Sequence, residues 1–357
     1  MLLNLMNMYK DNLEKFNCIN YIIDREGLSL YGSGDFSKWC IKYLIDNGIK
    51  INYIIDRDLK KHGTKNYGIP VIHNKSNILS KSSVILVSTT RFVDEIIDTN
   101  KEFYDYIVSF HQWFIMKYFF DFLDLRNYFC DSLSLNTFDS ILFYRYNSSF
   151  KDMKNIFVRD HYFINEVFPS AKNEIFLDAG AYVGDTLEQF IINSEGIFEK
   201  IYAFEPGEKQ FNSMKLRVNR LINEWGLDKD RIVLEQLGIS DDNKVVFFDT
   251  HSDILSNSIS DIDSDSKIDV VSIDNYLNGR PITFLKADIE GEELSMLKGA
   301  KKTIVNYKPK MAISIYHNPD DFITIMTYIK SIVSEYKFYL RHHSPTFAET
   351  VLYCIVE

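Results

Sequence analysis

The 357-residue sequence predicts an α/β protein built on doubly wound, mostly parallel sheets. Short apolar segments of strand length alternate with longer segments of helical period along most of the chain. In addition, glycine-containing turns follow predicted strands at two places, Gly32–Gly34 and Gly180–Gly184. Because glycine lets a ligand approach the backbone closely, both turns are candidate binding sites.

Residues 1–110 are predicted to form the smaller of two α/β domains. After a helix near residues 1–24, a strand enters the turn Gly32-Ser-Gly34, and an amphipathic helix follows as far as Asn47-Gly48. The next strand leads into Asp56, about twenty residues beyond the glycines. The predicted strands of this domain are Leu28–Tyr31, Ile49–Ile55, Ile69–Ile72, Val84–Val87 and Tyr106–Phe110.

Residues 111–170 are predicted to be a helical connector. Aromatic residues such as Trp113, Phe114 and Tyr118 recur there at helical spacing, which is typical of buried helix faces. The segment Asp160–Phe163, just before the second domain, could instead fold over a cofactor as a lid.

Residues 171–357 are predicted to form the larger domain, which begins with a strand, a glycine turn and a helix. Asp178 lies two residues before Gly180, and Asp185 lies directly after Gly184. Beside a pyrophosphate both acids would be repulsive, whereas beside the ammonium and sulfonium groups of S-adenosylmethionine they are favourable. The turn therefore favours S-adenosylmethionine as the cofactor, and an NAD-type turn or a plain strand–helix connection is the alternative.

Later strands of this domain also end in polar residues. Ile201–Glu205 ends in an acid twenty-one residues beyond Gly184, a placement suited to bidentate contact with ribose hydroxyls. Ile282–Asp288 and Met311–His317 end in ionisable side chains, and Gly238-Ile239 offers a surface for adenine. The other predicted features are a strand at Ile232–Gln236, a polar loop at Asp249–Lys267 and a closing strand pair, Lys337–Arg341 with Thr350–Val356.

Five motifs of this domain, in this order and spacing, resemble the FkbM family of S-adenosylmethionine-dependent methyltransferases: Asp178–Gly184, Phe204–Pro206, Ser272–Asp274, Leu285–Glu293 and Leu297–Ala300. The resemblance covers about residues 172–357 and implies a class I, Rossmann-like fold. In that fold a seven-stranded sheet is parallel except for its last strand. It also implies a small-molecule or saccharide acceptor, since members methylate hydroxyl groups, often on sugars. The residues expected to bind the donor are Asp178, Gly180, Ala181, Gly184, Asp185, Glu205, Pro206, Gly238, Ile239 and Asp288.

The chain departs from this family at two places. Tyr182 stands in the cofactor turn where the family usually has Asn, and the strand ending in His317 carries Ile-Tyr-His where many members end in an acid. A ring at position 182 that fills the cofactor cleft would indicate a non-catalytic binding or assembly protein that keeps the fold as a scaffold.

Catalytic residues are expected beyond the carboxyl ends of neighbouring strands, where open α/β sheets bind their ligands. His317 is predicted to be the general base, because an imidazole of ordinary pKa is half neutral near pH 6.5. Asp288 is predicted to orient the acceptor or the donor, and Glu290 is the next candidate base. A histidine that caps the following helix is the structural alternative for His317. A divalent ion on Asp288, Glu290 and His317 is an open alternative, but no metal is predicted, since these ligand types do not specify one.

The first domain resembles the nucleotide-sugar-binding domain of PglD-type sugar acetyltransferases. The resemblance rests on Tyr31–Gly34, Tyr53–Asp56 and Tyr67–Val71. It implies a nucleotide or nucleotide-sugar site at Gly32, Gly34 and Asp56. A degenerate domain kept for packing or dimerisation is one alternative. An NAD-linked oxidoreductase site in this domain is another, although the third glycine of that motif is replaced by Ser37.

Composition and charge narrow the partners further. A formal charge of −10 argues against nucleic acid, which needs a clustered basic face. The most apolar stretch, Trp113–Leu125, is interrupted by charged residues and is too short to span a bilayer. The four cysteines show no CxxC pattern, and no signal peptide is evident, so a cytoplasmic location is expected. A homo-oligomer remains open.

Overall fold

The computed structural model describes residues 1–74, 76–168, 172–249, 258–260 and 267–356. The described chain forms two compact units. Unit 1 contains Met1–Leu123 and Phe138–Met153, and unit 2 contains Asp124–Thr137 and Lys154–Glu357. Most of the polar loop predicted at Asp249–Lys267 lies outside the described residues, and the three-part division of the sequence stays a prediction.

Unit 1 contains a six-stranded sheet in the order β3-β4-β2-β1-β5-β6. All neighbouring strands are parallel except β3, which is antiparallel to β4. The five strands predicted from the sequence are present, and the two-residue β3 is an addition. The strands are β1 Leu28–Tyr31, β2 Ile51–Asp56, β3 Lys65–Asn66, β4 Ile69–His73, β5 Val84–Val87 and β6 Tyr106–Ser109.

Aromatic side chains are buried where the helices of unit 1 meet. Trp113 is buried, and its indole Nε1 donates to Asn20 Oδ1 at 3.0 Å. The Ser109 hydroxyl accepts from the Gln112 N–H at 2.9 Å and caps the helix that begins at Phe110. The helices of unit 1 are α1 Leu2–Glu26, α2 Asp35–Asp46, α3 Val93–Asn100 and α4 Phe110–Lys117, and two helices contain residues of both units, α5 Phe119–Arg126 and α6 Ser132–Tyr146.

Unit 2 contains a seven-stranded sheet and a four-stranded sheet. The strands are β7 Ile175–Ala179, β8 Lys200–Phe204, β9 Ile232–Glu235, β10 Gly238–Ile239, β11 Lys244–Asp249, β12 Ser258–Ser260, β13 Lys267–Val271, β14 Phe284–Ala287, β15 Lys310–Ser314, β16 Lys337–His342 and β17 Thr350–Ile355. The larger sheet has the order β16-β17-β15-β14-β7-β8-β9, and the smaller has the order β10-β13-β11-β12. In the larger sheet β17 is antiparallel to both of its neighbours, and the other pairings are parallel. This topology confirms the predicted Rossmann-like fold with its antiparallel last strand.

The helices of unit 2 are α7 Asp185–Asn193, α8 Glu208–Trp225, α9 Ile273–Leu277, α10 Glu293–Gly299, α11 Lys301–Tyr307 and α12 Asp321–Ile332. The helix predicted at Leu294–Ile304 is divided near Ala300, where a Cβ on Gly299 would lie 2.2 Å from the Ser240 carbonyl oxygen. Between sheet and helices, the buried rings of Phe176 and Phe190 stack at 4.4 Å. Each such buried ring contributes about 1.5–3 kcal/mol to the hydrophobic stabilisation of the unit.

None of the helices in the described part of the chain has the length and apolar character that a bilayer span needs.

Candidate functional site

A cavity of about 430 Å³ lies at the carboxyl ends of the strands of unit 2. Its walls come from the turn after β7, the ends of β8 and β14, the β10 region, the segment after β15 and the segment before β17. This is the position at which open α/β sheets bind ligands, and the volume lies in the range of small-molecule sites. Of the residues predicted to bind the donor, the cavity is lined by Gly180, Asp185, Glu205, Pro206, Gly238, Ile239 and Asp288.

The floor of the cavity is the glycine turn after β7. Gly180 has φ +81°, and a Cβ there would lie 1.9 Å from the Asp288 carbonyl oxygen, so only glycine fits. Gly184 has φ +79° and precedes the first residue of α7. The Ala181 side chain is buried, and the Ala181 N–H donates to the Phe204 carbonyl at 2.9 Å. The turn therefore presents backbone to the cavity.

Tyr182 occupies a left-handed backbone conformation, with φ +46°. That region favours Gly or Asn over other residues, so the family's usual Asn matches the backbone better than Tyr does. Tyr182 is one of the lining residues, and the cavity has a volume of about 430 Å³. The non-catalytic alternative requires a ring that fills the cleft. The open cavity argues against that alternative.

Asp178 lies beneath the turn and is fully buried. Its Oδ1 forms an ion pair with Lys286 Nζ at 3.0 Å, and the same ammonium donates to the Gly180 carbonyl at 2.8 Å. Burial would lower the pKa of Lys286, but Asp178 and Asp288 raise it above its ordinary value. Asp178 is not among the residues that line the cavity, and its carboxylate neutralises Lys286. Asp185 does line the cavity and faces the ligand space. The single lysine in the apolar stretch Ile282–Ala287 was the sequence signal for this pair.

Glu205 lies at the carboxyl end of β8 and is 7% exposed. Its Oε2 accepts from the Tyr182 N–H at 3.0 Å and its Oε1 from the Gly207 N–H at 2.7 Å. Burial raises the pKa of Glu205 to about 7, although these two N–H groups lower it. Each carboxylate oxygen has two lone pairs, so one per oxygen stays free to accept from a ligand hydroxyl.

Asp288 lies at the carboxyl end of β14, next to the turn. Its Oδ2 accepts from the Tyr162 hydroxyl at 2.7 Å. Burial would raise the pKa of Asp288, but His317, Lys286 and this hydrogen bond lower it below the usual range. Asp288 is therefore ionised at neutral pH and is held in place by a buried tyrosine.

The segment predicted as a lid forms one wall of the cavity. His161 and Tyr162 both line it, and their rings stack at 3.7 Å. The Tyr162 N–H donates to the Tyr353 hydroxyl at 3.0 Å, which attaches the segment to β17. Burial lowers the pKa of His161 to about 3, so this imidazole is neutral at physiological pH.

His317 is surrounded by carboxylates and has a 9% exposed side chain. Its Nδ1 lies 3.0 Å from Glu293 Oε1, and its Nε2 lies 3.4 Å from Asp288 Oδ1 and 3.7 Å from Glu290 Oε2. Burial alone would lower the pKa of His317, but the three acids raise it to about 10. An imidazolium has no lone pair with which to accept a proton, so this environment counts against the general-base role predicted from the sequence, and that role stays a prediction. His317 also lies outside the set of lining residues.

Asp288, Glu293 and His317 each offer one potential metal ligand, and these atoms lie within 4.8 Å of one another. In the structure both imidazole nitrogens already face carboxylates. The imidazolium supplies the positive charge that these acids need.

Besides Glu205, two further acids that line the cavity have pKa values near neutrality. Burial raises the pKa of Glu290 to about 7 and that of Glu349 to about 6. Glu349 Oε1 accepts from the Tyr316 hydroxyl at 3.3 Å. Sequence reasoning included Tyr162 only as part of a possible lid, and it missed Tyr316 and Glu349 as site residues, because they lie in loops and carry no motif.

In unit 1 the residues of the predicted nucleotide site contact one another. The Ser33 hydroxyl donates to Asp56, and Lys61 Nζ lies 3.2 Å from Asp56 Oδ2. Burial would raise the pKa of Asp56, but Ser33 and Lys61 lower it. Gly32 donates its N–H to the Ile55 carbonyl at 2.8 Å, and no other atom lies within 4 Å of a Cβ built on Gly34. The Asp58 N–H donates to Asp56 Oδ1 at 2.8 Å, so both carboxylate oxygens already accept hydrogen bonds, and ligand binding here stays a prediction.

The strand order of unit 2, with its glycine turn, ribose-type acid and cavity at the carboxyl edge, defines a Rossmann-like domain of the methyltransferase type. Residues 178–341 match the family model described as the methyltransferase FkbM domain. This match confirms the resemblance over that part of the chain and supports a methyltransferase. The PglD-type resemblance of the first domain is not confirmed by it.

Several solved structures are similar to the chain, and the first of those described here shares its fold. The methyltransferase FkbM from Methylobacillus flagellatus KT aligns over 99% of both chains at 23% identity, with a TM-score of 0.60. An rRNA methylase from Streptococcus thermophilus aligns with 54% of this chain and 92% of its own, at 16% identity and a TM-score of 0.33. Fibrillarin from Aeropyrum pernix, with natively bound S-adenosyl-L-methionine, covers 53% of this chain and 69% of its own, at 11% identity and a TM-score of 0.33. No curated protein matches the chain.

Proposed function

We propose that the protein is an S-adenosylmethionine-dependent methyltransferase that methylates a hydroxyl group of a sugar or glycan precursor. The observation that carries the proposal is Glu205, a buried carboxylate fixed by two backbone N–H groups at the edge of a cavity floored by Gly180. A ribose needs such a bidentate acceptor. The polypeptide must also approach the ligand without a Cβ, as Gly180 allows.

The strand order suggests how the donor would lie. Glu205 ends β8 and would accept from the ribose hydroxyls, while Gly238 and Ile239 line the adenine end of the same cavity. Asp288 ends β14, on the other side of β7. The methionine part of the donor would therefore extend over the ends of β7 and β14.

Bound S-adenosylmethionine would supply an activated methyl group, whose C–S bond breaks with its electron pair left on sulfur as the new C–O bond forms. The chain's own task is to position the acceptor oxygen in line, to exclude water and to remove the hydroxyl proton. We assign proton removal to Glu290, which lines the cavity and has a pKa of about 7. A base with a pKa near the working pH contributes about 10²–10⁴-fold to such a step.

The acceptor end supports a hydroxyl-bearing substrate. Carboxylates of Glu290 and Glu349 and hydroxyl groups of Tyr162 and Tyr316 converge there. Carboxylates accept hydrogen bonds from sugar hydroxyls, and tyrosine rings pack on the apolar faces of sugars. The family resemblance leans the same way, since members methylate hydroxyl groups.

Calorimetry with S-adenosylmethionine tests the donor site. Glu205→Ala should remove a hydrogen bond to a charged group and weaken binding by about 1.5–3 kcal/mol. The control is Glu195→Ala, whose side chain is 76% exposed and which should bind like the wild type. Unchanged affinity in Glu205→Ala would show that the donor site is misassigned. No binding to the wild type would favour the non-catalytic alternative.

Labelled donor then tests the acceptor class. The wild-type protein is incubated with methyl-labelled S-adenosylmethionine and a panel of monosaccharides, glycans and nucleotide-sugars. Label should appear on a hydroxyl oxygen of a saccharide. Donor binding with transfer only to a non-saccharide acceptor would retain the methyltransferase and reject the sugar.

A further inference from the structure

We propose that Asp288, Glu290 and Glu349, here called the acid wall, hold the positive sulfonium charge of the donor. The acid wall would thereby distinguish S-adenosylmethionine from its uncharged thioether product, S-adenosylhomocysteine. This inference rests on the proposed function, because it concerns the same cavity. It adds a specificity element that the fold alone does not imply.

The charges at this end of the cavity do not balance. Lys286 pairs with Asp178 at 3.0 Å, beneath the turn. His317 lies closest to Glu293, at 3.0 Å, and is shared with Asp288 and Glu290 at longer distances. Among the lining residues that the structure describes, Lys286 is the only lysine or arginine. The acid wall thus contributes more negative charge than these cations offset.

The surplus of negative charge also affects the pKa values of the neighbouring tyrosines. The pKa of Tyr162 and that of Tyr316 are raised well above the ordinary value, by burial first and then by the charges of Asp288 and Glu349. His161 adds no positive charge, since its imidazole is neutral. The region around the acid wall therefore has a negative potential that a cation would relieve.

The side chains of the acid wall are only partly exposed. The side chains of Asp288, Glu290 and Glu349 are 21%, 33% and 33% exposed. Partly buried charges are screened less than surface charges, and their interaction with a nearby cation is correspondingly stronger. At an effective dielectric constant of about 20, one such acid at about 5 Å favours a cation by more than tenfold in affinity.

The acid wall lies two strands away from Glu205 in the sheet. Glu205 and Asp288 end strands that lie on either side of β7, and neighbouring strands are about 4.8 Å apart. Two strand spacings, about 10 Å, separate the ribose end from the acid wall. The donor's sulfonium lies between its ribose and its amino-acid part, so a donor bound through Glu205 would direct that charge toward the acid wall.

This arrangement has a consequence for turnover. Methyl transfer converts the sulfonium to a neutral thioether, so the attraction to the acid wall is lost in the product. S-Adenosylhomocysteine would then leave more readily than the donor, and inhibition by product would be weak.

Calorimetry on the full chain at pH 8, where Glu290 and Glu349 are ionised, tests the inference with both ligands. The two ligands share adenosine, ammonium and carboxylate groups, so the ratio of their dissociation constants isolates the sulfonium. We expect the dissociation constant of S-adenosylmethionine to be lower than that of S-adenosylhomocysteine by more than about tenfold at low salt. Glu349→Gln and Glu290→Gln should each reduce this ratio through weaker binding of S-adenosylmethionine, with the affinity for S-adenosylhomocysteine unchanged. Glu195→Gln, an exposed acid outside the cavity, should keep the wild-type ratio.

Each outcome decides the question. Equal affinities in the wild type, or tighter binding of S-adenosylhomocysteine, would overturn the inference and leave the methyltransferase proposal intact. Equal losses for both ligands in the variants would also overturn it. If a variant does not fold, the wild type is compared with an analogue that has a protonated nitrogen in place of the sulfonium, which must bind like the donor. If neither ligand binds the wild type, the proposed function itself fails.

Discussion

A Cβ atom on Gly180 would lie 1.9 Å from the carbonyl oxygen of Asp288, so the glycine turn and the end of β14 are in direct backbone contact. The hydrogen bond from the Asp288 N–H to the Ala179 carbonyl, 3.1 Å long, fixes this approach. The contact joins the predicted donor turn to the predicted catalytic acid. Any side chain at position 180 would force them apart.

We therefore expect Gly180→Ala to lower the free energy of unfolding by about 2–5 kcal/mol. Left-handed backbone contributes about 1–2 kcal/mol of this loss and the steric overlap the rest. Gly226→Ala is a matched control, because Gly226 also has positive φ, +64°, but has no atom within 4 Å of its Cβ position. The control should lose only the backbone part. Equal losses in urea unfolding would mean that the Asp288 contact has no energetic weight.

His317 and its three acids lead to a prediction about pH. The folded pKa of His317, about 10, lies above the value of about 6.5 in an unfolded chain. The imidazolium therefore contributes its full stabilisation below pH 6.5 and loses it as the pH rises to 10. His317→Gln should remove this dependence and destabilise unit 2 by about 3–5 kcal/mol at neutral pH, since buried carboxylates would lose their cation.

The measurement is chemical denaturation of both proteins at pH 6, 8 and 10, read as the difference between them. The difference should shrink toward pH 10. A difference that stays constant with pH would mean that His317 is neutral in the folded protein, and its role as a base would have to be reconsidered.

Much of the fold followed from local signals. Buried strands such as Phe284–Ala287 are visible in the sequence as apolar segments of strand length. The backbone conformation of the turn requires glycine, so its glycines mark the turn in the sequence. Because β7, β14 and β15 were predicted to be neighbours, Asp288 and His317 were correctly expected to lie close together.

The state of the site did not follow, because it depends on contacts between distant segments. Burial lowers the pKa of His317 and Glu293 raises it most, yet the sequence indicated Glu293 only as the last residue of the motif Leu285–Glu293. Tyr162 reaches Asp288 from 126 positions away in the chain. Asp178 was predicted to contact the donor, but its carboxylate forms an ion pair with Lys286. Periodicity and motifs describe neighbours along the chain, whereas burial and charge pairing arise only in the folded protein.

The reassignment of the base to Glu290 gives a kinetic prediction. Glu290 lines the cavity, follows the end of β14 and has φ +56°, a conformation that L-residues adopt rarely and that is common at functional sites. Its pKa of about 7 makes it a carboxylate above neutral pH and a carboxylic acid below it. Methyl transfer should therefore increase as the pH rises from 6 to 8. Glu290→Gln should lower kcat by about 10²–10⁴-fold and remove that dependence, because an amide cannot take up the proton.

Glu349→Gln removes a charge from the same wall but not the base, so its profile should keep the rise near pH 7 while its affinity for S-adenosylmethionine falls. The pH–rate profiles of the three proteins are measured at saturating donor with the best acceptor of the saccharide panel. If Glu290→Gln keeps most of its turnover and Glu349→Gln loses it, then Glu349 is the base and Glu290 serves only the charge of the wall.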